Sequence, residues 1–425
     1  MYHPTSPEEL IIFNESRTKV GSGGMGDVYR VQRSSSVITE KFKHLGKIRL
    51  LSKYHIPANT NHPSLTPCDI QYQSLRKFDI RPCHSPKPIS LEIPIHPGTK
   101  QFFSNLQRFW YEVYCMKEIT LAQRMEVPGA QYFNPIHEHT YGFDCNGNLF
   151  GIIRAPLIQN EHHEVQSCAS FARKFQPHLM AHIALQTLTA LNVTRDLEII
   201  LRDLKPEHIL IDGDQIKIID LGLARTMRGK VTFDSLFIPS YPNPKKSPEL
   251  IHHSKLILPK GVQDFMTDFP DEITLGGTIH YMPISALKGH INQEVDTWAW
   301  LVSMYETASG VYPFPKIIEM CNQAGASIEM QMLTASLVLS KIDQNELEIQ
   351  FRQANPLVPA SFYHPLCAAL KNPSPTNLTT FTNLLQDLAN ERTPDVTIAP
   401  TTTSSSSDTS TMSIIDVTKL VRLHN

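Results

Sequence analysis

The spacing of apolar residues in this 425-residue chain changes along its length. From about residue 8 to 157, short apolar runs such as Leu149–Ile153 are typical of strands, and Phe102–Met125 has helical spacing. From about residue 158 to 390, apolar residues recur mostly at helical spacing, as in His178–Asn192. The pattern predicts an α+β protein in which a small β-rich part, 8–157, precedes a larger helical part, 158–390.

Three further segments show neither spacing clearly. Residues 34–88 and 226–275 are polar and interrupted by prolines, so we expect long insertions or loops there. Residues 391–412 are rich in Thr, Ser and Pro and predict a disordered linker, because such a composition buries little apolar surface. A short tip of apolar and basic residues, 413–425, ends the chain.

Composition narrows the classes of function. The formal net charge is −2, and no basic tract is present, which argues against nucleic acid as a partner. No apolar run has the length of a membrane span. The seven cysteines include no C-x-x-C pair, so we expect neither a disulfide framework nor a zinc site, and a reducing compartment is favoured. The first residues lack the pattern of a secretory signal, which favours a cytoplasmic location.

A glycine-rich stretch at residues 20–29 reads VGSGGMGDVY. Glycines at this spacing bring backbone N–H groups close to phosphate oxygens, where a Cβ atom would intrude. The following residues, Asp27–Gln32, read as a strand rather than a helix, which indicates a strand–loop–strand cover over a nucleotide. The candidate nucleotide-binding residues here are Gly21, Ser22, Gly23, Gly24, Met25, Gly26 and Val28.

Two later stretches carry most of the candidate chemistry. Residues 201–212 read LRDLKPEHILID and residues 216–225 read IKIIDLGLAR, with a turn predicted at Asp212-Gly213. Together they closely resemble the catalytic loop and metal-binding turn of serine/threonine protein kinases. The wording of the glycine-rich stretch is similar to that of eukaryotic-like (Hanks-type) kinases in bacteria, and four more motifs follow in the family's order. These are Arg108–Glu112, Gly277–Met282, Asp296–Trp298 and Gly310–Phe314.

The resemblance implies a two-lobed protein-kinase-like fold, ATP and Mg²⁺ as cofactors, and a long activation segment at 220–285. It implies catalytic roles for Asp203, which would orient the acceptor hydroxyl and take its proton, and for Lys205, which would balance charge on the phosphoryl group. Asp220 would hold the metal ion. The family's pattern also places Leu210 and Glu112 among the nucleotide-binding residues, with Glu112 paired to a lysine that binds ATP.

Three positions in these motifs depart from the family. Leu201 stands where histidine is usual, and Ser285 stands where a glutamate normally forms a buried ion pair. His208 replaces an asparagine that helps to hold a second Mg²⁺. Two interpretations of His208 remain open: a metal ligand, which would suit softer ions than Mg²⁺, or a structural cap of the loop, which we favour.

The position of the ATP-binding lysine has two candidate segments. Residues 89–95 are strongly strand-like and place Glu92 at the family's usual distance before Glu112, which would replace the lysine by a carboxylate. The other segment, Val37–Lys43, follows the glycines at the usual distance and offers Lys41 or Lys43. We favour the segment with Glu92 slightly, because it agrees better with the strand and helix patterns.

Two functions remain open at this point. The first is an active kinase that moves the γ-phosphoryl group of ATP to Ser or Thr hydroxyls of a protein substrate that the sequence does not identify. The second is a pseudokinase that binds nucleotide or protein as a scaffold, which the substitutions at His208 and Ser285 favour. The large insertions and the wording of the glycine-rich stretch are also compatible with a secreted bacterial effector.

Overall fold

The structure is a computed structural model, and its described residues fall into two compact units. It describes residues 17–23, 26–32, 37–47, 99–143, 148–158, 166–171, 176–229, 277–322 and 327–390. The first unit holds the described residues of Met1–Arg124, Asn134–Leu157 and Leu221–Thr274. The second unit holds those of Met125–Phe133, Ile158–Asp220 and Leu275–Asn425.

Strands and helices are numbered here in chain order. The strands are β1 (Arg17–Gly23), β2 (Gly26–Gln32), β3 (Val37–Lys47), β4 (Glu138–Phe143), β5 (Asn148–Pro156), β6 (Gln166–Ser167), β7 (Ile199–Ile200), β8 (Ile209–Asp212), β9 (Gln215–Ile218) and β10 (Arg225–Thr226). The helices are α1 (Thr99–Arg124), α2 (Cys168–Phe171), α3 (Pro177–Asp196), α4 (Ile284–Leu287), α5 (Glu294–Ser309), α6 (Pro315–Cys321), α7 (Ile328–Leu339), α8 (Gln344–Ala354), α9 (Ala360–Lys371) and α10 (Pro375–Asn390). Short 3₁₀ turns cover Ala130–Tyr132, Pro206–His208 and Ile279–Tyr281.

The first unit is built on a five-stranded antiparallel sheet in the order β1-β2-β3-β5-β4. Helix α1 packs on this sheet through an apolar face that includes Leu106, Phe109 and Val113, which are fully buried. Phe109 approaches the backbone of β5 at Gly151, where an added Cβ atom would lie 2.5 Å from the phenyl ring. The close approach of ring and strand fixes where α1 lies along the sheet.

The second unit is helical around a buried central helix, α5. Nearly every side chain of α5 is buried, so this helix is apolar on all sides rather than on one stripe. Trp300 donates its indole N–H to the carbonyl of Ala184 in α3 at 3.2 Å, and Tyr305 donates its hydroxyl to the carbonyl of Leu347 in α8 at 2.8 Å. A three-stranded sheet, β6-β8-β9, completes the unit.

The predicted α+β fold class is confirmed, and so are several of its elements. The helical spacing at Phe102–Met125 and His178–Asn192 corresponds to α1 and α3, and the strand-like run at Leu149–Ile153 lies in β5. The turn predicted at Asp212-Gly213 joins β8 to β9, with Gly213 in the left-handed region at φ 65°. The predicted linker, 391–412, and the tip, 413–425, lie outside the described residues, as does most of the segment 226–275.

The expectation of an insertion from residue 34 is corrected in part. Residues 37–47 form β3, the central strand of the sheet, so an insertion can begin only after Lys47. Among the described residues, no helix has the length and apolar character needed to cross a membrane.

Candidate functional site

In the first unit, a buried ion pair joins β3 to α1. Lys41 Nζ lies 2.7 Å from Glu112 Oε1, and the Glu112 side chain is 1% exposed. Lys41 is therefore the lysine that faces Glu112, and the preference for residues 89–95 as the lysine-bearing strand was wrong. Glu92 itself lies outside the described residues. The preference for residues 89–95 was wrong because a strand-like pattern shows that a segment can form a strand, but not which neighbouring strand it pairs with.

A second lysine shares the same carboxylate. Lys43 follows Lys41 by two residues on the strand, and its Nζ lies 3.6 Å from Glu112 Oε2. Burial lowers the pKa of Lys43 to about 8, although the negative charge of Glu112 acts to raise it. The nearby positive charges of Lys41, Arg225 and Arg108 act in the same direction as burial. The sequence left the choice between the two lysines open, and in the structure only Lys41 makes a hydrogen bond to Glu112.

The glycine-rich stretch forms the end of a β-hairpin. Gly21 and Ser22 pair with Val28 and Asp27, and Gly23 pairs with Gly26 across the turn. The predicted strand after the glycines is confirmed as β2, in which Val28 lies half-buried and opposite Lys41. Gly24 and Met25 lie outside the described residues. The hairpin thus continues directly into the strand pair that carries the ion-paired lysine.

In the second unit, one buried carboxylate holds the backbone of the loop that contains Asp203. Asp296, at the start of α5, accepts the backbone N–H groups of Leu201 at 2.7 Å and Arg202 at 2.9 Å. Burial raises the pKa of Asp296 to about 6, although both hydrogen bonds oppose this shift. Arg202 adopts a left-handed backbone, φ 69°, which is uncommon for a side-chain-bearing residue. Asp296 was not among the residues that the sequence singled out for this role.

Asp203 lies in a small network with Thr278 and Lys205. Its Oδ1 accepts the backbone N–H of Thr278 at 3.0 Å and the Thr278 hydroxyl at 2.7 Å. Its Oδ2 lies 3.5 Å from Lys205 Nζ, which also donates to the Thr278 hydroxyl at 3.4 Å. The structure therefore brings the two predicted catalytic residues together and adds Thr278, for which the sequence predicted no contact with Asp203.

Gly277 allows this network to form. Its backbone lies in the left-handed half of conformational space, φ 135°, and an added Cβ atom would lie 2.6 Å from the carbonyl oxygen of Arg202. A side chain here would push the segment that carries Thr278 away from the loop that carries Asp203.

His208 connects Asp203 to Asp220. Its Nδ1 lies 2.8 Å from the backbone carbonyl oxygen of Asp203, and its Nε2 lies 3.7 Å from Asp220 Oδ2. Asp220 follows β9 in a left-handed backbone, φ 62°. The first contact is the one expected of a histidine that caps the loop. Leu210, another predicted residue, is half-buried on β8 opposite Lys217.

The donor set here fits a divalent ion only in part. Asp220 supplies a carboxylate that is 26% exposed on its side chain, and a hard cation such as Mg²⁺ takes carboxylate oxygens. Among the described residues, no group of three or more His, Cys, Asp and Glu side chains is arranged to hold an ion without help. The arrangement therefore fits an ion that completes its coordination with phosphate and water oxygens.

The segment after Thr278 is anchored on α5. Tyr281 donates its hydroxyl to Glu306 Oε2 at 2.5 Å, and Tyr312 donates to the backbone carbonyl of His280. Ser285, where the sequence departs from the kinase pattern, lies in α4 and accepts the backbone N–H of His290 through its carbonyl at 2.9 Å. Leu201, the other departure, is a buried apolar residue. These contacts stabilise the segment although the expected glutamate is absent.

Comparisons with known proteins agree with this geometry. The family model described as "Protein kinase domain" matches residues 154–259. The chain is 27% identical over 175 residues, 41% of its length, to the cAMP-dependent protein kinase catalytic subunit 3 of Drosophila melanogaster. It is 30% identical over 105 residues, 24% of its length, to the serine/threonine-protein kinase PKH2 of Saccharomyces cerevisiae.

The matched segments cover only 20% of the Drosophila protein and 10% of the yeast protein. The fold, the ordered motifs and these matches make the chain similar to protein kinases of the Hanks type, and Leu201 and His208 depart from the pattern of the catalytic loop in that family.

Proposed function

We propose that this protein transfers the γ-phosphoryl group of ATP to serine or threonine hydroxyls of a protein substrate. The observation that carries the proposal is the ion pair between Lys41 and Glu112. A carboxylate in place of that lysine was the strongest argument for an inactive protein, because it would repel the phosphates of ATP. With Lys41 beside Glu112, the main elements needed to bind ATP and to position an acceptor are all found in the chain.

The first unit supplies the groups for the nucleotide. Glu112 orients the Lys41 ammonium group, which binds the α- and β-phosphates, while the backbone N–H groups around Gly21, Gly23 and Gly26 approach the phosphate oxygens. Val28 is a half-buried apolar residue on the same hairpin and provides surface for the adenine ring. Leu210, the other apolar residue predicted to bind nucleotide, is half-buried on β8 in the second unit.

The second unit supplies the groups for the transfer step. Thr278 occupies Oδ1 of Asp203 with two hydrogen bonds, so Oδ2 is the oxygen that accepts the proton of the incoming hydroxyl. The substrate O–H bond breaks as the new O–P bond forms, and the electron pair of the broken P–O bond leaves with ADP. Lys205, 3.5 Å from Asp203 Oδ2, places a positive charge beside the transferred group. A divalent cation bound at Asp220 would neutralise charge on the phosphates.

The choice of serine and threonine as acceptors rests on the relatives named above. Both are kinases by name, and the name of the yeast protein specifies serine and threonine.

A pseudokinase is the second candidate, and specific substitutions favour it. His208 stands at a position where the family uses an amide oxygen for a second metal ion, and Ser285 has no carboxylate for a buried ion pair. In this case the chain would bind nucleotide or a protein partner without transferring phosphate.

The two candidates differ in one measurement. Purified protein is incubated with γ-³²P-labelled ATP, a divalent cation and a generic acceptor protein, and the acid-stable label on serine and threonine is counted. We expect incorporation that Asp203→Asn reduces by about 10³-fold or more, since the base is lost. The matched control is Asp214→Asn, an exposed aspartate at the β8–β9 turn, which should leave the rate unchanged. Nucleotide-dependent stabilisation without any incorporation would favour the pseudokinase and exclude the proposed activity.

A further inference from the structure

The second unit contains a cavity of about 270 Å³ whose lining includes none of the residues assigned to ATP or to the transfer step. It lies between α4, the start of α5, the end of α7 and the connection from α9 to α10. Much of its wall is apolar, and the aliphatic part consists of Pro283, Ile284, Leu339, Ile342, Pro373 and Leu378. Pockets for drug-sized ligands have volumes of about 300–1,000 Å³, so this cavity suits a smaller molecule with an apolar body.

Trp298 contributes a buried hydrogen-bond donor to this wall. The residue is 7% exposed, and its ring stacks on Phe314 with the centroids 6.1 Å apart. Two residues further along α5, the indole N–H of Trp300 donates to the carbonyl of Ala184. The indole N–H of Trp298 has no acceptor among the described residues, although its nitrogen is buried. Because an indole N–H can only donate, an acceptor atom placed in the cavity would complete its hydrogen bonding.

Arg195, at the end of α3, is a second incompletely satisfied donor in the lining. One terminal nitrogen, Nη1, donates to Asn192 Oδ1 at 3.2 Å, but the buried Nε has no acceptor within the part of the chain that the structure describes. Burial lowers the pKa of Arg195, although the negative charges of Asp196 and Asp296 act to raise it. The guanidinium group is therefore poorly solvated, and an anion beside it would stabilise its charge.

We propose that this cavity binds a small organic carboxylate that carries an apolar chain or ring. Lys371 and Glu294 line the cavity together with Arg195, which gives two positive charges against one negative charge. A carboxylate has only acceptor oxygens, so it can accept hydrogen bonds from an indole and from a guanidinium group. The apolar body of the ligand would cover the aliphatic wall. A cation would offer no acceptor to either donor and would meet a positively charged lining.

Ser285 leaves room for the ligand on the α4 side of the cavity. Its side chain is short and half-buried, and it stands where the kinases that the chain resembles usually have a glutamate. The bound carboxylate would supply from outside the negative charge that the chain does not carry at this position. Ser285→Glu should therefore place a carboxylate of the chain itself in the cavity and exclude the ligand.

The test uses the full chain, labelled with ¹⁵N at the tryptophan indoles and titrated with 3-phenylpropionate. The chain has three tryptophans, and Trp298→Phe identifies the indole signal of Trp298 in the nuclear magnetic resonance spectrum. We expect this signal to shift most, and to do so in a saturable way. The neutral compound 3-phenylpropanamide should bind about 10-fold more weakly, because it lacks the charge, and the cation 3-phenylpropylamine should not bind.

Three substitutions locate the site. Arg195→Gln should weaken the binding of 3-phenylpropionate about 10-fold, and Ser285→Glu should abolish it. The matched control is Lys288→Gln, which removes the charge of an exposed lysine directly after α4 that does not line the cavity. This variant should bind 3-phenylpropionate as tightly as wild type.

The inference is independent of the proposed phosphate transfer, since the titrations contain no nucleotide. An unchanged Trp298 signal, or an equal response to the acid and the amine, would show that the cavity does not recognise carboxylates. Full affinity in Ser285→Glu would place the ligand elsewhere and would also overturn the inference. The comparison of acid, amide and amine uses the unmodified sequence, so it decides the question even where a variant does not fold.

Discussion

Thr278 binds one oxygen of Asp203 twice, through its backbone N–H at 3.0 Å and its hydroxyl at 2.7 Å. The two bonds prevent rotation of the carboxylate and leave the second oxygen for a substrate. The positioning role of the hydroxyl can be tested apart from the backbone bond. Thr278→Val keeps the shape and the N–H but removes the hydroxyl, whereas Thr278→Ser keeps both donors.

We expect Thr278→Val to lower kcat by about 10- to 100-fold with little change in the affinity for ATP, because Asp203 loses its orientation and Lys205 loses a partner. Thr278→Ser should retain most of the activity. Steady-state kinetics on both variants, with thermal melting as a check on folding, provide the measurement. Unchanged activity in Thr278→Val would show that the hydroxyl is not needed to position Asp203.

The two lysines on Glu112 should respond differently to substitution. Lys41→Met removes the 2.7 Å partner of a buried carboxylate, so we expect loss of nucleotide binding and a stability cost of about 3 kcal/mol. Lys43→Met removes a cation that lies 3.6 Å from the same carboxylate, and nucleotide affinity should change by less than about 3-fold. Isothermal titration with ATP distinguishes the two, and similar losses in both variants would contradict the assignment of Lys41.

Lys43 should also make the free energy of unfolding rise with pH above about pH 8. Its pKa in the folded protein is about 8, below the ordinary value of 10.5, because the buried ammonium group is poorly solvated. The folded state thus releases this proton before the unfolded state does. Below about pH 8 the buried charge lowers the free energy of unfolding by its full amount, and this loss disappears as the pH rises towards 10.5.

The check on this effect is the difference between wild type and Lys43→Met in urea unfolding. The stability advantage of the methionine variant, at most about 3 kcal/mol, should be largest at pH 7 and should shrink by pH 10. Because both proteins share every other titrating group, the difference isolates Lys43. A difference that stays constant between the two pH values would show that the ammonium group is not destabilised by burial.

Asp296 should be essential to the fold of the loop around Asp203. Asp296→Ala leaves the buried N–H groups of Leu201 and Arg202 without their acceptor, and we expect a loss of about 2–5 kcal/mol in the free energy of unfolding. Asp296→Asn keeps one acceptor oxygen and should lose less. Chemical denaturation of the two variants measures this order, and an alanine variant as stable as wild type would contradict the anchoring role.

The sequence located the parts of the site that are contiguous. Asp203, Lys205 and Asp220 lie within or between short strands whose turn residues and apolar spacing are visible locally. It missed the roles of Thr278 and Asp296, because their partners lie 75 and 94 or 95 positions away along the chain. Contacts at that separation depend on how helices pack, and no local pattern records them.

The wrong choice between Glu92 and Lys41 has a related cause. The usual number of residues between a strand and the helix that follows it favoured Glu92, but here residues 48–98 lie between β3 and α1. Strand propensity favoured residues 89–95, but pairing decides which strand is third in the sheet, and β3 pairs with both β2 and β5. Propensity describes one segment, whereas pairing is a property of two.

Because the backbone at Asp220 is left-handed, the residue that is best for stability at this position differs from the one that binding requires. A residue with a side chain is strained at φ 62°, typically by about 1–3 kcal/mol, and glycine is not. Asp220→Gly should therefore melt at a higher temperature than wild type and bind no metal–nucleotide complex. A library at this position that is selected for thermostability would converge on glycine, and one selected for nucleotide binding would return aspartate.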